Sequence, residues 1–159
     1  MSNLRKKIQA QKKEDGKFKL MFRTGHVHGP LPQKRYYGYD IIREYSLDEI
    51  LPLIPTASST AAKEAKAYLP GHHKPITVGS DRLIMYKTKG VKCVTCPRTG
   101  HVWRLEENHG NGAHLNLYTI DGRMMTKDHI HPKSLGGKDV LDNYQPMCDV
   151  CNKNKGNKV

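Results

Sequence analysis

The chain has 159 residues, of which 36% are apolar, with only two Phe and one Trp, and it carries a net charge of +12. That length allows one domain with a modest core or a small domain with an appendage, and the thin apolar content calls for a metal staple. A pI near 9.6 favours a polyanionic partner. No apolar run is long enough to span a bilayer, and none follows the basic N-terminus as a signal peptide would, so a soluble intracellular protein is expected.

Residues 1–35 hold ten Lys/Arg against Glu14 and Asp15. They read as a basic arm, either a solubilising tail or a phosphate-contacting segment. Phe18, Leu20, Met21 and Phe22 form a short apolar patch with strand character, and His26-Val27-His28 lies in a Gly/Pro-rich loop. Residues 36–79 are nearly neutral and read as a small, mostly helical accessory region with a linker. Ser46 and Glu49 make a capping box, and Pro52 and Pro55 cut that helix short. A second helix is predicted from Ser58 or Ser59 to Leu69, before Pro70-Gly71. His72-His73-Lys74-Pro75 reads as linker.

Residues 80–159 form the third segment. Ser80 caps a short helix that ends at Lys89-Gly90. Residues 101–106 predict a strand with Trp103 and Leu105 on one face. Residues 114–120 predict a second, with Leu115, Leu117 and Thr119 on one face, after a turn at 108–112. Asp121-Gly122 is a hairpin signal, and residues 124–130 predict a third strand. A helix beginning near Cys148 closes the chain.

Cys93-x-x-Cys96 and Cys148-x-x-Cys151 each put two sulfurs on one turn. In an intracellular protein such pairs read as metal ligands before disulfides, and four sulfurs brought together suit a structural Zn²⁺ with no open position. The last stretch, residues 128–155, gathers an acid, a base, two amides, a thiol pair and several lysines. Their order and spacing suggest a small metal-dependent active site held in place by the structural metal.

At Asp128-His129-Ile130, Pro132, Gly136-Gly137, Asn143, Cys148-x-x-Cys151-Asn152 and Lys155 the chain resembles the HNH endonucleases, members of the His-Me finger or ββα-metal nucleases. The resemblance covers roughly residues 80–159, and Cys93-x-x-Cys96 fits it, because many members carry this zinc. Several phage and bacterial HNH proteins look similar around Leu115-Asn116-Leu117-Tyr118 and Met125-Thr126-Lys127-Asp128-His129 as well. It implies an α+β fold with a C-terminal ββα-metal domain. It also implies a phosphodiesterase acting on DNA, most readily double-stranded, in the cytoplasm (that of a bacterial host if phage-encoded).

By the same resemblance His129 ends the first strand of the ββα unit and acts as general base, and Asn143 fixes the loop that orients it. Asp128 and Asn152 would hold one Mg²⁺ or Mn²⁺ per site, and the products would carry a 5′ phosphate and a 3′ hydroxyl. Two positions depart from the simplest pattern. Asn152 stands where the family name has its last His, and His131 adds an imidazole that, on a strand, would point the same way as His129. His131 is therefore expected to assist at the metal, to contact phosphate or to fill the site edge. Lys127, Lys153, Lys155, Arg98 and Arg104 are candidate phosphate contacts. A non-catalytic, zinc-stabilised DNA- or RNA-binding module is the alternative. Nicking versus double-strand cleavage, and monomer versus homodimer, stay open.

Overall fold

The structure is a computed structural model and describes residues 40–107 and 112–159. The basic arm, the Phe18–Phe22 patch, the His26-Val27-His28 loop and most of the expected turn at 108–112 lie outside these residues. The described chain mixes small sheets with short helices. Its strands are β1 (Asp40–Tyr45), β2 (Lys66–Tyr68), β3 (Pro75–Thr77), β4 (Gly100–Glu107), β5 (Ala113–Thr119), β6 (Met125–His129) and β7 (Tyr144–Cys148). The α-helices are α1 (Leu47–Ile50), α2 (Thr60–Lys63), α3 (Asp81–Lys89) and α4 (Asp149–Lys155).

The local signals set the helix boundaries. The Ser46 hydroxyl accepts from Glu49 N while Glu49 Oε1 accepts from Ser46 N, which closes the capping box of α1. Pro52 then turns the chain into a 3₁₀ turn, Leu51–Leu53. Ser80 caps α3 through Leu83 N, and Gly90 ends it at a φ of +93°.

The sheet order β1-β4-β5 is antiparallel throughout, while β2-β3 and β6-β7 are separate hairpins. Trp103 and Leu105 of β4 and Leu115 and Leu117 of β5 are buried, as the alternation predicts. Asn116 and Tyr118 on the opposite face are buried too, because β5 is covered on both sides. Asn116 Oδ1 accepts from Arg82 of α3, and Asn116 Nδ2 donates to the buried Glu106. The edge of the Trp103 ring packs against Tyr86 of α3 at 5.8 Å between centroids. One cluster of buried side chains runs from Tyr45, Ile50 and Ile76 through Tyr86 and Trp103 to Met125, Tyr144 and Met147.

Three expectations change. The second helix of the accessory region stops at Lys63, and residues 66–68 pair with residues 75–77, so this region carries strands as well as helices. Ala65, Ala67 and Leu69 alternate with Lys66, Tyr68 and Pro70, a period of two that buries Leu69 beside Ile76 and Val78. The four residues His72–Pro75, read as linker, thus close and enter a hairpin. The third strand joins the β4-β5 sheet only through a bridge between Tyr118 and Met124, and its full partner is β7. Strand β7 supplies the second strand that the ββα resemblance implies, but no residue pattern located it, since Pro146 sits in its middle. As an edge strand it tolerates that proline, whose carbonyl accepts from Val94 N at 3.1 Å.

Candidate active site

The unit β6–β7–α4 carries the chemistry at its two ends. At one end, the Sγ atoms of Cys93, Cys96, Cys148 and Cys151 all lie within 4.8 Å of one another. The Cys96 and Cys148 sulfurs are 3.7 Å apart, close to the edge of about 3.8 Å that four Zn–S bonds of about 2.3 Å define. The donor set and its spacing therefore fit Zn²⁺, and the four thiols could hold one. Cys148 is also the N-cap of α4, its sulfur accepting from Cys151 N at 3.4 Å, so this cluster anchors the helix. A backbone hydrogen bond from Arg98, aided by the neighbouring thiols, pulls the Cys96 thiol down to about 6. Burial pushes Cys148 and Cys151 up. All four become thiolates together only when a dication offsets their mutual repulsion.

At the other end lies a cleft of about 240 Å³ lined by Lys127, Asp128, His129, Lys133, Asn152 and Lys155, among others. Strand β6 delivers Asp128 and His129 on opposite faces, as the period of two requires. Asp128 is buried. Its Oδ2 accepts from Gln145 Nε2 at 2.9 Å and lies 3.1 Å from Lys155 Nζ. The same ammonium donates to the His129 carbonyl at 2.8 Å. Asn152, one turn before Lys155, donates its amide to Thr126 Oγ1 at 2.7 Å. With Asp128 Oδ1 at 3.4 Å, three oxygens surround the Lys155 ammonium, a hard-oxygen set that could also hold a divalent ion.

His129 Nε2 is 2.7 Å from Asp139 Oδ1. Lys133 holds the other oxygen of Asp139 at 2.7 Å. Hydrogen bonds from Lys133 and His129 bring the Asp139 carboxyl down to about 2, so it is ionised near neutral pH and can only accept. The proton of that contact therefore sits on Nε2, and in the uncharged tautomer this contact selects, the lone pair lies on Nδ1. The His129 ring meets Tyr144 edge-on at 5.0 Å, and Lys127 Nζ lies over the same Tyr144 ring at 4.0 Å.

The loop between β6 and β7 is tied by Asn143. Its Oδ1 accepts from His131 N at 2.8 Å, its Nδ2 donates to the carbonyls of His131 and Lys138, and its own carbonyl accepts from Ile130 N. Gly136-Gly137 fits the same turn. Gly136 has a φ of +90°, and a Cβ on Gly137 would fall 1.8 Å from the His131 carbonyl.

Of the side chains singled out from sequence, the structure brings Lys127, Asp128, His129, Asn152 and Lys155 into one cleft. Asn143 and His131 border an adjoining depression instead. Strand β6 ends at His129, so His131 does not share its direction; its Nε2 donates to the Leu135 carbonyl at 2.9 Å. Lys153 is exposed on α4. Arg98 ion-pairs with Asp121 at 2.9 Å and turns Nη1 toward Cys96 and Cys148 at 3.8 and 3.9 Å, where it offsets thiolate charge. Arg104 stacks over the Tyr118 ring at 4.5 Å. Sequence reasoning missed Asp139, Lys133 and Gln145. An acid directly after Gly136-Gly137-Lys138 was the available signal for Asp139.

Among the described residues no helix is long and apolar enough to cross a membrane. No curated protein and no solved structure matches the chain. Residues 119–159, which span β6, β7, α4 and the loop that carries Asp139 and Asn143, match the family model described as HNH endonuclease, and that match supports a nuclease-type function.

Proposed function

We propose that the protein is a metal-dependent HNH endonuclease that hydrolyses DNA phosphodiester bonds. The observation that carries this reading is the convergence of Asp128, His129, Asn152 and Lys155 in one cleft of the segment that matches the family. Asp128 and the side-chain amide oxygen Oδ1 of Asn152 would hold one Mg²⁺ or Mn²⁺. When bound, such an ion supplies Lewis acidity at the scissile phosphate and neutralises charge on the leaving 3′ oxygen.

The remaining work falls to side chains. His129 takes a proton from the attacking water at Nδ1, with Asp139 fixing the tautomer through Nε2. Asn143 holds the loop that presents Asp139. Lys127 and Lys155 supply positive charge for the phosphates on either side of the scissile bond. The test is supercoiled plasmid incubated with the full chain and Mg²⁺, Mn²⁺ or EDTA. Loss of the supercoiled form with metal alone is expected, and open circles accumulating ahead of linear molecules would identify a nicking enzyme. Retained plasmid binding with no cutting under any metal would instead favour the zinc-stabilised binding module.

Asp139 is a positioning residue, since it reaches the reaction only through His129. Asp139→Asn keeps the shape but can donate as well as accept, so the tautomer is no longer fixed. Its kcat is expected to fall about 10- to 100-fold with KM for DNA unchanged. Asp139→Glu should recover part of the loss. An Asn variant with wild-type kcat, or one whose loss lies wholly in KM, would remove this role.

A further inference from the structure

The cation at Asp128 is a lysine. Lys155 Nζ lies 3.1 Å from Asp128 Oδ2, 3.4 Å from Oδ1 and 2.8 Å from the His129 carbonyl oxygen. Both side chains are largely sealed from water, at 14% and 6% exposure. An exposed pair of this kind would be loose and screened, but a buried one is held, because either charge left alone there is costly. A divalent ion on Asp128 would need its carboxylate oxygen at about 2.0–2.1 Å. It could not share that oxygen with an ammonium a few ångströms away, since the two cations would repel strongly in so dry a site. Lys155 sits at the end of a four-carbon stem in the last turn of α4, and that stem can swing. Once off Asp128, its strongest acceptor in the cleft would be a phosphate oxygen of the nucleic acid.

We propose that Lys155 is the resident cation of the Asp128 site, which a divalent metal must displace, so that metal entry and phosphate capture by Lys155 are coupled. The inference rests on the reading of Asp128 as a metal ligand. By linkage the coupling is reciprocal: phosphate on Lys155 favours metal on Asp128, and metal favours phosphate.

The test is Mn²⁺ binding to the full chain without nucleic acid, by calorimetry or by the spin resonance of free Mn²⁺, in wild type, Lys155→Met and Lys155→Arg. Lys155→Met should bind Mn²⁺ about tenfold more tightly or better than wild type, and Lys155→Arg should not. Asp128→Asn should abolish binding in every background. A second readout uses the wild-type fold alone: with ¹³C-methylated lysines, the Lys155 resonance should shift as Mg²⁺ is added. Equal Mn²⁺ affinity in wild type and Lys155→Met, still lost with Asp128→Asn, would overturn the role of Lys155 and leave Asp128 as a ligand. An unmoved Lys155 resonance at saturating Mg²⁺ would overturn it too. No binding in either chain, or binding indifferent to Asp128→Asn, would overturn both readings.

Discussion

Stripping metal from the four-cysteine cluster, or replacing Cys148 by Ser, is expected to unfold the β6–β7–α4 unit and abolish cleavage together. The size of the effect follows from two magnitudes. Structural zinc sites contribute about 10–16 kcal/mol of apparent binding free energy, and whole domains are stable by only about 5–15 kcal/mol. Cys148 is the sharpest place to remove a ligand. It is fully buried, it ends β7, and its sulfur caps α4, the helix that carries Asn152 and Lys155 to the cleft. Serine is itself a good N-cap, so Cys148→Ser keeps a cap on α4 and the damage would come from the lost metal.

The measurement is one zinc per chain by atomic absorption, followed by thermal melting with and without a chelator. The pH dependence has a defined sign. Cys148 and Cys151 are pushed above the ordinary thiol value and must release protons to bind metal, so chelation should become easier as pH falls. A chain that binds no zinc, or that melts at the same temperature with chelator, would remove the structural role.

The helix caps and the β4 and β5 strands were legible because their signals are local. Ser46 with Glu49, Ser80, and the alternation around Trp103 and Leu117 each act within a few residues. The two thiol turns were legible because paired spacing leaves little other chemistry, and the cluster is as tight as that spacing implied. What escaped depends on distant partners. Strand β7 contains Pro146 and exists because β6 lies beside it. The pairing of residues 66–68 with 75–77 overrode an alanine-rich stretch that favours helix by propensity. Arg98 read as a candidate phosphate contact until the fold placed it against two sulfurs, and His131 does not share a strand with His129 because the strand stops two residues before it. Asp139 lies ten residues from His129, and no periodicity links them; only the loop tied by Asn143 brings them to 2.7 Å.

His129→Ala is expected to lower metal-dependent plasmid cleavage by about 10²–10⁴-fold while plasmid binding persists. That loss corresponds to about 3–5 kcal/mol of barrier. Among the side chains that line this cleft, His129 is the imidazole, and its ring is anchored by both Asp139 and Tyr144. Binding should survive because the charge proposed to meet the phosphates comes from Lys127 and Lys155, which the substitution leaves in place. The fold should survive as well: the imidazole is partly exposed, and the strand ladder at this position is made by backbone atoms. Binding and melting measured on the same preparation separate a lost base from a lost fold. Cleavage within a few-fold of wild type would mean that another group takes the proton, and the roles assigned to His129 and Asp139 would fall together. Loss of cleavage with binding and melting intact would leave the imidazole as the base and single out Asp139→Asn as the next variant to measure.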